Sequence, residues 1–190
     1  MKLKPLLIAL TMAAASLGSA SSQADEFKVV QADKSTLNFG YKQMGVGMDG
    51  RFKKFAVQMN FDPANLAASK AQFELDLASI DVGSDEGNEE VIGKQWFNTK
   101  AFPKATFTTA SIKSLGGNRY EVSGPLTIKG RSKTVTAPAV VTISGKTASF
   151  DGAFVILRSD YSIGEGPWAT FETVANEVQI KFHLLASASK

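Results

Sequence analysis

The feature that most constrains this chain is the alternation of apolar and polar residues along much of its length. A two-residue period places the apolar side chains on one face of a β-strand and the polar ones on the other. Gly, Asn, Asp and Pro interrupt the alternation at short intervals, which is typical of antiparallel strands joined by turns. The clearest example alternates Phe73, Leu75 and Leu77 with Gln72, Glu74 and Asp76. The pattern therefore predicts an all-β chain.

Eight strands are predicted after a short N-terminal segment, Phe27 to Val30. Their approximate bounds are 35–44, 48–61, 69–81, 104–115, 118–129, 132–144, 147–159 and 174–187. Glycine-containing turns at 116–118, 130–131 and 145–146 join four of them in succession. Eight antiparallel strands in this order favour a closed barrel, which removes exposed sheet edges. A β-sandwich is the alternative architecture.

One segment departs from this pattern and predicts a short helical excursion around 84–97. Ser84 is a suitable N-cap, and Asp85 and Glu86 follow it in the first turn, where carboxylates are favoured. Apolar residues then supply one side of the segment: Val91, Ile92, Trp96 and Phe97. We expect the excursion to lie across one end of the barrel.

The N-terminus has the features of a secretory signal peptide. Lys2 and Lys4 precede an uncharged apolar run over 6–17, and small residues follow up to Ala24. The sequence therefore predicts a signal peptide over 1–24, one domain over 25–190 and export to the bacterial periplasm. Cleavage after Ala20 is the alternative. An uncleaved anchor is disfavoured because a membrane span needs roughly 20 apolar residues.

Composition excludes several classes of function. The chain has no cysteine, which excludes disulfides, thiolate metal sites and a cysteine nucleophile. The formal net charge is +3, and loss of Lys2 and Lys4 with the leader would lower it further. The remaining lysines are scattered, so the sequence indicates no nucleic-acid partner.

Catalytic and metal-binding patterns are also missing from the sequence. The single histidine, His183, alternates onto the polar outer face with Gln179 and Lys181, away from any serine nucleophile. One histidine without cysteine does not support zinc, and the acidic stretch 81–90 lacks the spacing of a calcium loop. We therefore predict a protein that is not an enzyme and has no metal site. A hydrolase would need a polar constellation in a cleft.

Small residues on the predicted inner face leave two possibilities for the interior. A barrel of this size either fills with side chains or holds one ligand. Small inward residues favour a lumen, although large neighbours would also fill such gaps. The small residues are Thr109, Gly124, Ala137, Ala139 and Gly152.

Arg158 falls on this apolar face, where an unpaired charge is very rare. It either pairs with Asp160 or Glu165 at the strand end, or lies at the barrel mouth to bind an anionic head group. The sequence favours the first role and leaves the second open.

Eight short segments stand out together by their order and spacing, and they span nearly all of the chain after the leader. They are 35–39, 50–52, 61–63, 78–81, 96–98, 102–107, 124–130 and 158–164. In these segments the chain resembles the YceI-like family of periplasmic, lipocalin-like barrels that bind polyisoprenoid lipids.

The resemblance implies a tunnel that holds an isoprenoid chain, such as a polyprenyl phosphate or a quinone tail, without catalysis or any other cofactor. It implies that the tunnel is lined by Phe52, Phe73, Leu75, Phe107, Leu126, Phe154 and Ile156. Trp96, Phe97 and Trp168 would border an opening. Gln43 stands where many members have histidine, which leaves the head group unspecified.

A second hypothesis concerns the outer surface. In it the protein is a stress-related interaction protein that binds a membrane redox protein through an exposed patch around Trp168 and Phe171. Fold analogy alone suggests this partner. The sequence leaves the oligomeric state open, a homodimer included.

Overall fold

A computed structural model describes residues 25–189 of the chain, and the predicted leader over 1–24 lies outside the described residues. The described part contains twelve strands and one α-helix, α1 (Asp85–Ile92). The first six strands are β1 (Phe27–Val30), β2 (Thr36–Gln43), β3 (Val46–Phe52), β4 (Phe55–Asn60), β5 (Lys70–Asp76) and β6 (Ile80–Asp81). The others are β7 (Lys104–Thr108), β8 (Ser111–Gly116), β9 (Arg119–Ile128), β10 (Arg131–Ser144), β11 (Thr147–Leu157) and β12 (Glu177–Ala188).

All twelve strands belong to one antiparallel sheet, which excludes a sandwich of two sheets. The order is β4-β5-β7-β9-β10-β11-β12-β2-β3-β6, with β1 paired to β12 and β8 paired to β9. The two ends of this order meet, because β3 runs into β4 through Lys53 and Lys54. Lys53 N donates to Ser79 O at 3.1 Å, and Asp76 N donates to Lys54 O at 3.1 Å. The sheet is therefore strongly curled and resembles a barrel.

The predicted count of eight strands is wrong. The predicted strands 48–61, 69–81 and 104–115 are each broken once, at 53–54, 77–79 and 109–110, and the segment 27–30 forms an additional strand. Side chains stabilise the breaks: Ser79 Oγ accepts from Lys54 N at 3.0 Å, and Thr109 Oγ1 accepts from Ala71 N at 3.2 Å. The phase of the apolar alternation shifts by one residue at each break, since inward Phe52, Leu77 and Phe107 are followed by inward Phe55, Ile80 and Ile112. The prediction of one continuous strand in each segment overlooked this shift.

The predicted helix and turns are present. The Ser84 hydroxyl accepts from Gly87 N at 3.1 Å and caps α1, which ends at Ile92 rather than near 97. Positive φ angles occur at Gly116, Gly130 and Gly145, in the three predicted turns. No helix within 25–189 is long and apolar enough to cross a bilayer.

The apolar interior divides into two clusters, one toward each end of the curled sheet. We call the end around Trp96, Arg158, Trp168 and Val174 the arginine end. The opposite end, around Phe27, Phe61, Phe150 and Leu184, we call the Phe27 end. Loop 158–176 and the excursion with α1 cover the arginine end. β1 and the turns at 116–118 and 145–146 lie at the Phe27 end.

Two of the small inward residues have a role that differs from the expected one. A Cβ on Gly124 would lie 2.0 Å from Thr108 O, and one on Gly152 would lie 2.3 Å from Phe182 Cζ. These glycines therefore permit close packing and do not open space for a lumen. Thr109 lies at the bend between β7 and β8 and does not line the main cavity.

We predict that Gly124→Ala lowers the free energy of unfolding by about 1–3 kcal/mol, the usual cost of overpacking. The neighbouring atom is a backbone oxygen, which moves only if the bend after β7 moves. Urea denaturation monitored by tryptophan fluorescence measures the change. Gly47→Ala is the matched control, because a Cβ there has no heavy atom within 4 Å. Equal midpoints for the two variants would contradict the packing role.

Candidate functional site

The curled sheet encloses an apolar cavity of about 330 Å³. Its wall includes residues of both clusters, so the cavity extends from the arginine end towards the Phe27 end. The volume falls in the range of about 300–1,000 Å³ that is usual for ligand pockets. Each long strand contributes alternate residues to the wall, as the two-residue period requires. On β12 these are Val178, Ile180, Phe182 and Leu184.

The wall contains every residue that the sequence analysis assigned to the ligand. These residues come from β3, β5, β7, β9 and β11, from the excursion after α1, and from loop 158–176. They are Phe52, Phe73, Leu75, Trp96, Phe97, Phe107, Leu126, Phe154, Ile156, Arg158 and Trp168. The structure therefore brings the predicted set together around one space. Contact with a ligand stays a prediction for each of them.

Small side chains do contribute to the cavity, although the two glycines do not. Ala137 and Ala139 lie on the wall as expected and are 7% and 5% exposed. Ala71 and Ala105 lie there too. Methyl side chains at these positions leave the interior unfilled between the phenylalanine rings of neighbouring strands.

Polar side chains on the wall are few and lie towards its ends. Gln43 and Glu90 are at the arginine end, and Lys70 lies near the Phe27 end. The Glu90 Oε1 atom accepts from Trp96 Nε1 at 3.1 Å, so the indole is held by the carboxylate. A buried polar group without a partner is costly, and a mostly apolar wall therefore favours an apolar ligand body.

Arg158 is 2% exposed and donates to backbone carbonyl oxygens from all three guanidinium nitrogens. Every acceptor lies in the irregular loop that follows β11. Nε donates to Ala175 O at 3.1 Å, and Nη1 to Ile163 O and Gly164 O at 2.8 and 3.2 Å. Nη2 donates to Trp168 O, Thr170 O and Val174 O at 2.8, 2.8 and 2.9 Å.

Neither role predicted for Arg158 describes these contacts. Asp160 lies 3.7 Å from Lys133 Nζ and Glu165 lies 2.7 Å from Lys129 Nζ, so both carboxylates pair with lysines. The guanidinium is fully engaged with carbonyl groups, which leaves its N–H groups unavailable to an anionic head group. Burial lowers the pKa of Arg158, but arginine stays protonated in proteins.

Aromatic rings complete the surroundings of this charge. The Trp96 ring centroid lies 5.6 Å from Arg158 Cζ, and the Phe171 centroid lies 4.9 Å from it. Trp168 packs against Trp96 with 5.4 Å between ring centroids. Cation–π contacts of this kind stabilise a guanidinium that has lost its water. Arg158 thus joins loop 158–176 to the excursion that carries Trp96.

Additional hydrogen bonds connect the same two segments to the sheet. Gly164 N and Glu165 N both donate to Gln95 O, at 2.9 and 2.7 Å. Lys129, whose side chain is 8% exposed, donates to Ser162 O and to Glu165 Oε2, each at 2.7 Å. The hydrogen bond from Lys129 lowers the pKa of Glu165. The cover of the arginine end is therefore tied to β9, β11 and the excursion.

Aromatic rings close the Phe27 end, and sequence reasoning did not include them in the site. Phe27 is 1% exposed, and its N–H and carbonyl pair with those of Phe61 at 2.9 and 3.1 Å. Phe61 contacts Phe150 and Tyr120 edge to face, with centroids 5.1 and 5.4 Å apart. Four residues of β1 are too few for a period to show, and only the pairing with β12 reveals their role.

The described residues hold no cluster of three or more His, Asp or Glu side chains able to bind a metal ion. His183 lies on the outer face of β12, where its Nδ1 is 2.6 Å from Asp151 Oδ1 on the neighbouring strand. This cross-strand pair lies outside the cavity wall.

A family model described as the YceI-like domain matches residues 29–186. The chain belongs to the YceI-like family. Among the curated relatives, a UPF0312 protein of Ectopseudomonas mendocina is 30% identical over 179 residues, covering 90% of this chain and 94% of that protein.

Two solved structures share the fold of this chain. The crystal structure of Burkholderia cenocepacia BcnA is 47% identical, with a TM-score of 0.81, and the match covers 83% of this chain and 99% of BcnA. A polyisoprenoid binding domain from Saccharophagus degradans is 20% identical, with a TM-score of 0.66, and the match covers 88% of this chain and all of that domain. At 20% identity the second match shows the fold alone.

We predict that Arg158→Met lowers the free energy of unfolding by at least about 3 kcal/mol. Leaving one buried acceptor unpaired costs about 1–3 kcal/mol, and this variant leaves several. Thermal and urea unfolding measure the loss. Arg51→Met is the control, because the Arg51 side chain is 65% exposed and its ion pair with Asp81 lies at the surface. Similar losses in both variants would show that Arg158 has no special structural role.

A second prediction concerns Tyr161, which is 1% exposed and whose hydroxyl has no hydrogen-bond partner within 25–189. Burial, with a smaller effect from the Asp160 charge, raises its pKa to about 12. Since the unfolded phenol ionises near pH 10, its contribution to stability is complete below that pH. It is lost as the pH rises towards 12, because only the unfolded state releases the proton.

Tyr161→Phe should therefore unfold with equal or higher free energy at pH 7, since the change removes an unpaired buried hydroxyl. Between about pH 10 and 12 the wild-type protein should lose stability relative to the variant. Urea titrations at a series of pH values test both points. A constant difference between the two proteins across this range would contradict the raised pKa.

Proposed function

We propose that this protein is a periplasmic carrier that holds an isoprenoid lipid, a polyprenyl phosphate or a quinone tail, in its apolar cavity. The observation that carries the proposal is the continuous apolar wall between the arginine end and the Phe27 end. It contains rings and branched side chains from nearly every long strand and few polar groups. Such a wall suits a long hydrocarbon chain, which has no polar atoms to leave unpaired.

The description of the Saccharophagus degradans domain as polyisoprenoid binding agrees with this proposal. The chain is also 47% identical to BcnA, whose structure has the same fold. The periplasmic location is supported by the leader-like residues 1–24 alone. No residue on the cavity wall is proposed to catalyse a reaction.

Polar wall residues at the two ends of the cavity offer two alternative binding positions for the head group of the lipid. Gln43 and Glu90 lie at the arginine end, and Lys70 lies near the other. Arg158 is not among these candidates because its guanidinium N–H groups are engaged with carbonyl oxygens. An anionic head group would have to bind away from Glu90, since two carboxylate- or phosphate-like charges at one place repel each other.

The alternative function is that of an interaction protein that binds a membrane redox protein through Trp168 and Phe171. One observation favours it, the 48% exposure of Phe171. Trp168 instead packs on Trp96 and lines the cavity, so the proposed patch is smaller than the sequence suggested. The carrier function accounts for more of the structure.

Native mass spectrometry of the protein recovered from the bacterial periplasm tests the carrier function. A bound species whose extracted mass series is spaced by isoprene units would support it and identify the head group. Protein that is empty and also rejects added polyprenyl phosphates and quinones would overturn it. Enclosed ligands of this kind are retained through isolation because most of their surface is buried.

A blocking variant makes the same test specific to the cavity. Val135→Phe adds a ring to a wall position on β10, and we expect it to reduce the bound lipid at least tenfold. Thr134→Phe is the matched control, because Thr134 is exposed on the opposite face of the same strand. Lipid occupancy is compared by native mass spectrometry. Equal occupancy in the two variants would place the lipid outside the cavity.

A further inference from the structure

The hairpin of β2 and β3 extends past its neighbours at the arginine end. β2 pairs with β12 only as far as Gly40, and β3 pairs with β6 only through Arg51 and Phe52. Beyond these points the two strands pair with each other, and the outer edge of β2 bonds to loop 158–176. Ala175 N donates to Lys42 O at 2.9 Å, and Gln43 forms an isolated bridge with Val174. The tip of the hairpin is therefore a ribbon with one free edge, along β3. It lies where the cavity reaches the surface beside the cover, since Gln43 and Glu90 on the cavity wall are exposed, and we call this opening the mouth.

The inner face of this ribbon continues the cavity wall. Along β3, Val46 and Met48 share a face with buried Phe52, because alternate residues point the same way. Val46 is 62% exposed and Met48 is 38% exposed. Met48 is directly opposite Tyr41, which lines the cavity. An apolar track thus leads from the cavity to solvent.

Two more exposed apolar side chains complete this surface. Met44, in the turn, is 77% exposed, and Phe171, on loop 158–176, is 48% exposed. The Met44 N–H donates to Thr173 O at 2.7 Å, which joins the turn to the loop that carries Phe171. We call Met44, Val46, Met48 and Phe171 the apolar rim.

The backbone at Met44 is unusual for an exposed methionine. Its φ angle is 49° and that of Gly45 is 80°, a turn in which Asn or Gly is favoured at the first position. Lys129 has the same φ of 49°, but its buried side chain makes two hydrogen bonds to loop 158–176. The Met44 side chain has no such internal role. A strained position that displays an apolar side chain to solvent indicates a function outside the folded chain.

The charge and the area of the apolar rim indicate which kind of partner binds to it. Residues 43–48 carry no charge, which does not match a partner that is recognised through charge. A stable protein–protein interface needs about 800 Å² from each partner. One hairpin tip and the half-exposed ring of Phe171 supply far less. The apolar face of an interfacial helix is buried in the boundary between lipid head groups and acyl chains, with a strength that scales with its apolar area. Exposed apolar side chains on a hairpin bury their area in the same boundary. The rim therefore fits a bilayer surface better than a second protein.

We propose that the apolar rim docks the cavity mouth on a lipid bilayer whose surface is zwitterionic. The inference deepens the proposed carrier function and rests on it for its purpose. A lipid leaving the bilayer would then follow Val46, Met48 and Tyr41 into the cavity without crossing water. Insertion depends on apolar area, so binding should depend weakly on salt.

The test measures partition of the protein onto vesicles of phosphatidylcholine and phosphatidylethanolamine by flotation. The test variant is Met44→Asn with Val46→Thr. Asparagine is favoured at the positive φ of position 44, and threonine suits a strand, so the hairpin should be retained. We expect wild-type protein to bind and the variant to lose at least about tenfold in partition coefficient, as deletion of two inserted apolar groups implies.

Leu115→Asn with Ile143→Thr is the matched control. Leu115 and Ile143 are 51% and 46% exposed beside the turns at the Phe27 end, and their replacement should leave vesicle binding unchanged. All proteins are expressed and purified in the same way, and intact-mass measurement checks that their N-termini are the same. Equal losses in the two double variants, or a wild-type protein that does not float, would overturn the docking role.

A second readout uses the lack of cysteine in the chain. A dye sensitive to polarity, attached at Met44→Cys, should shift to the blue on addition of vesicles, and the same dye at Leu115→Cys should not. If vesicle binding appears only when phosphatidylglycerol is added and disappears in salt, then charge attraction, not insertion of apolar side chains, causes the binding. That result would overturn the proposal. Sedimentation measures whether the protein is a dimer. If the wild-type protein is a dimer, the double variant Met44→Asn with Val46→Thr is a monomer, and vesicle binding is unchanged, then the rim binds a second copy of the chain and the docking role is overturned.

These outcomes are distinct from a failure of the carrier function. Protein that takes up isoprenoid lipid from detergent but does not bind vesicles would overturn the docking role alone. Protein that binds vesicles through the rim but holds no isoprenoid lipid would overturn the carrier function and leave the docking surface in place.

Discussion

The arginine end of this protein depends on the hydrogen bonds that Arg158 donates to six carbonyl oxygens of loop 158–176. The loop has little regular structure, so its carbonyls need partners other than a strand ladder. A planar guanidinium offers five N–H donors in fixed directions, which a lysine ammonium cannot reproduce. Five N–H donors serve six carbonyl oxygens, with the two N–H groups of Nη2 shared among three of them. Every donor is therefore satisfied, and the charge can be buried next to an apolar cavity.

The site depends on this loop because several wall residues belong to it or contact it. Trp168 and Val174 lie on the wall, and the carbonyl oxygens of both accept hydrogen bonds from the guanidinium. Trp96 reaches the wall from the excursion and packs against Trp168. Polar bonding is thus concentrated outside the cavity, where it holds the cover in place. The wall itself stays apolar.

The strands supply a different part of the site. In the middle of the molecule, strand pairing satisfies the hydrogen-bonding groups of the backbone. The inward side chains, which alternate along each strand, can therefore all be apolar. Alanines leave that space open, while Gly124 and Gly152 let neighbouring elements approach. The cavity therefore results from the choice of small side chains on the wall. At its mouth, the β2–β3 hairpin continues the same apolar face into solvent.

The sequence by itself determined the all-β class, the inward face of most long strands, the cap of α1 and eleven residues of the cavity wall. Each of these follows from local chemistry: a two-residue period, a serine hydroxyl near an N–H group, or a family motif. Glycine turns were predictable for the same reason, since positive φ is a property of single residues.

The tertiary structure decided what depends on contacts distant in sequence. The breaks at 53–54 and 77–79 bond to each other, since Lys53 N donates to Ser79 O. The apolar alternation shifts by one residue at both, but this shift does not show that the two breaks meet. The partners of Arg158 lie five to seventeen residues away on an irregular path, so charge pairing with Asp160 or Glu165 was the expectation from sequence. The exposure of Met44 beside the cavity mouth likewise depends on where the neighbouring strands end, which no local pattern records.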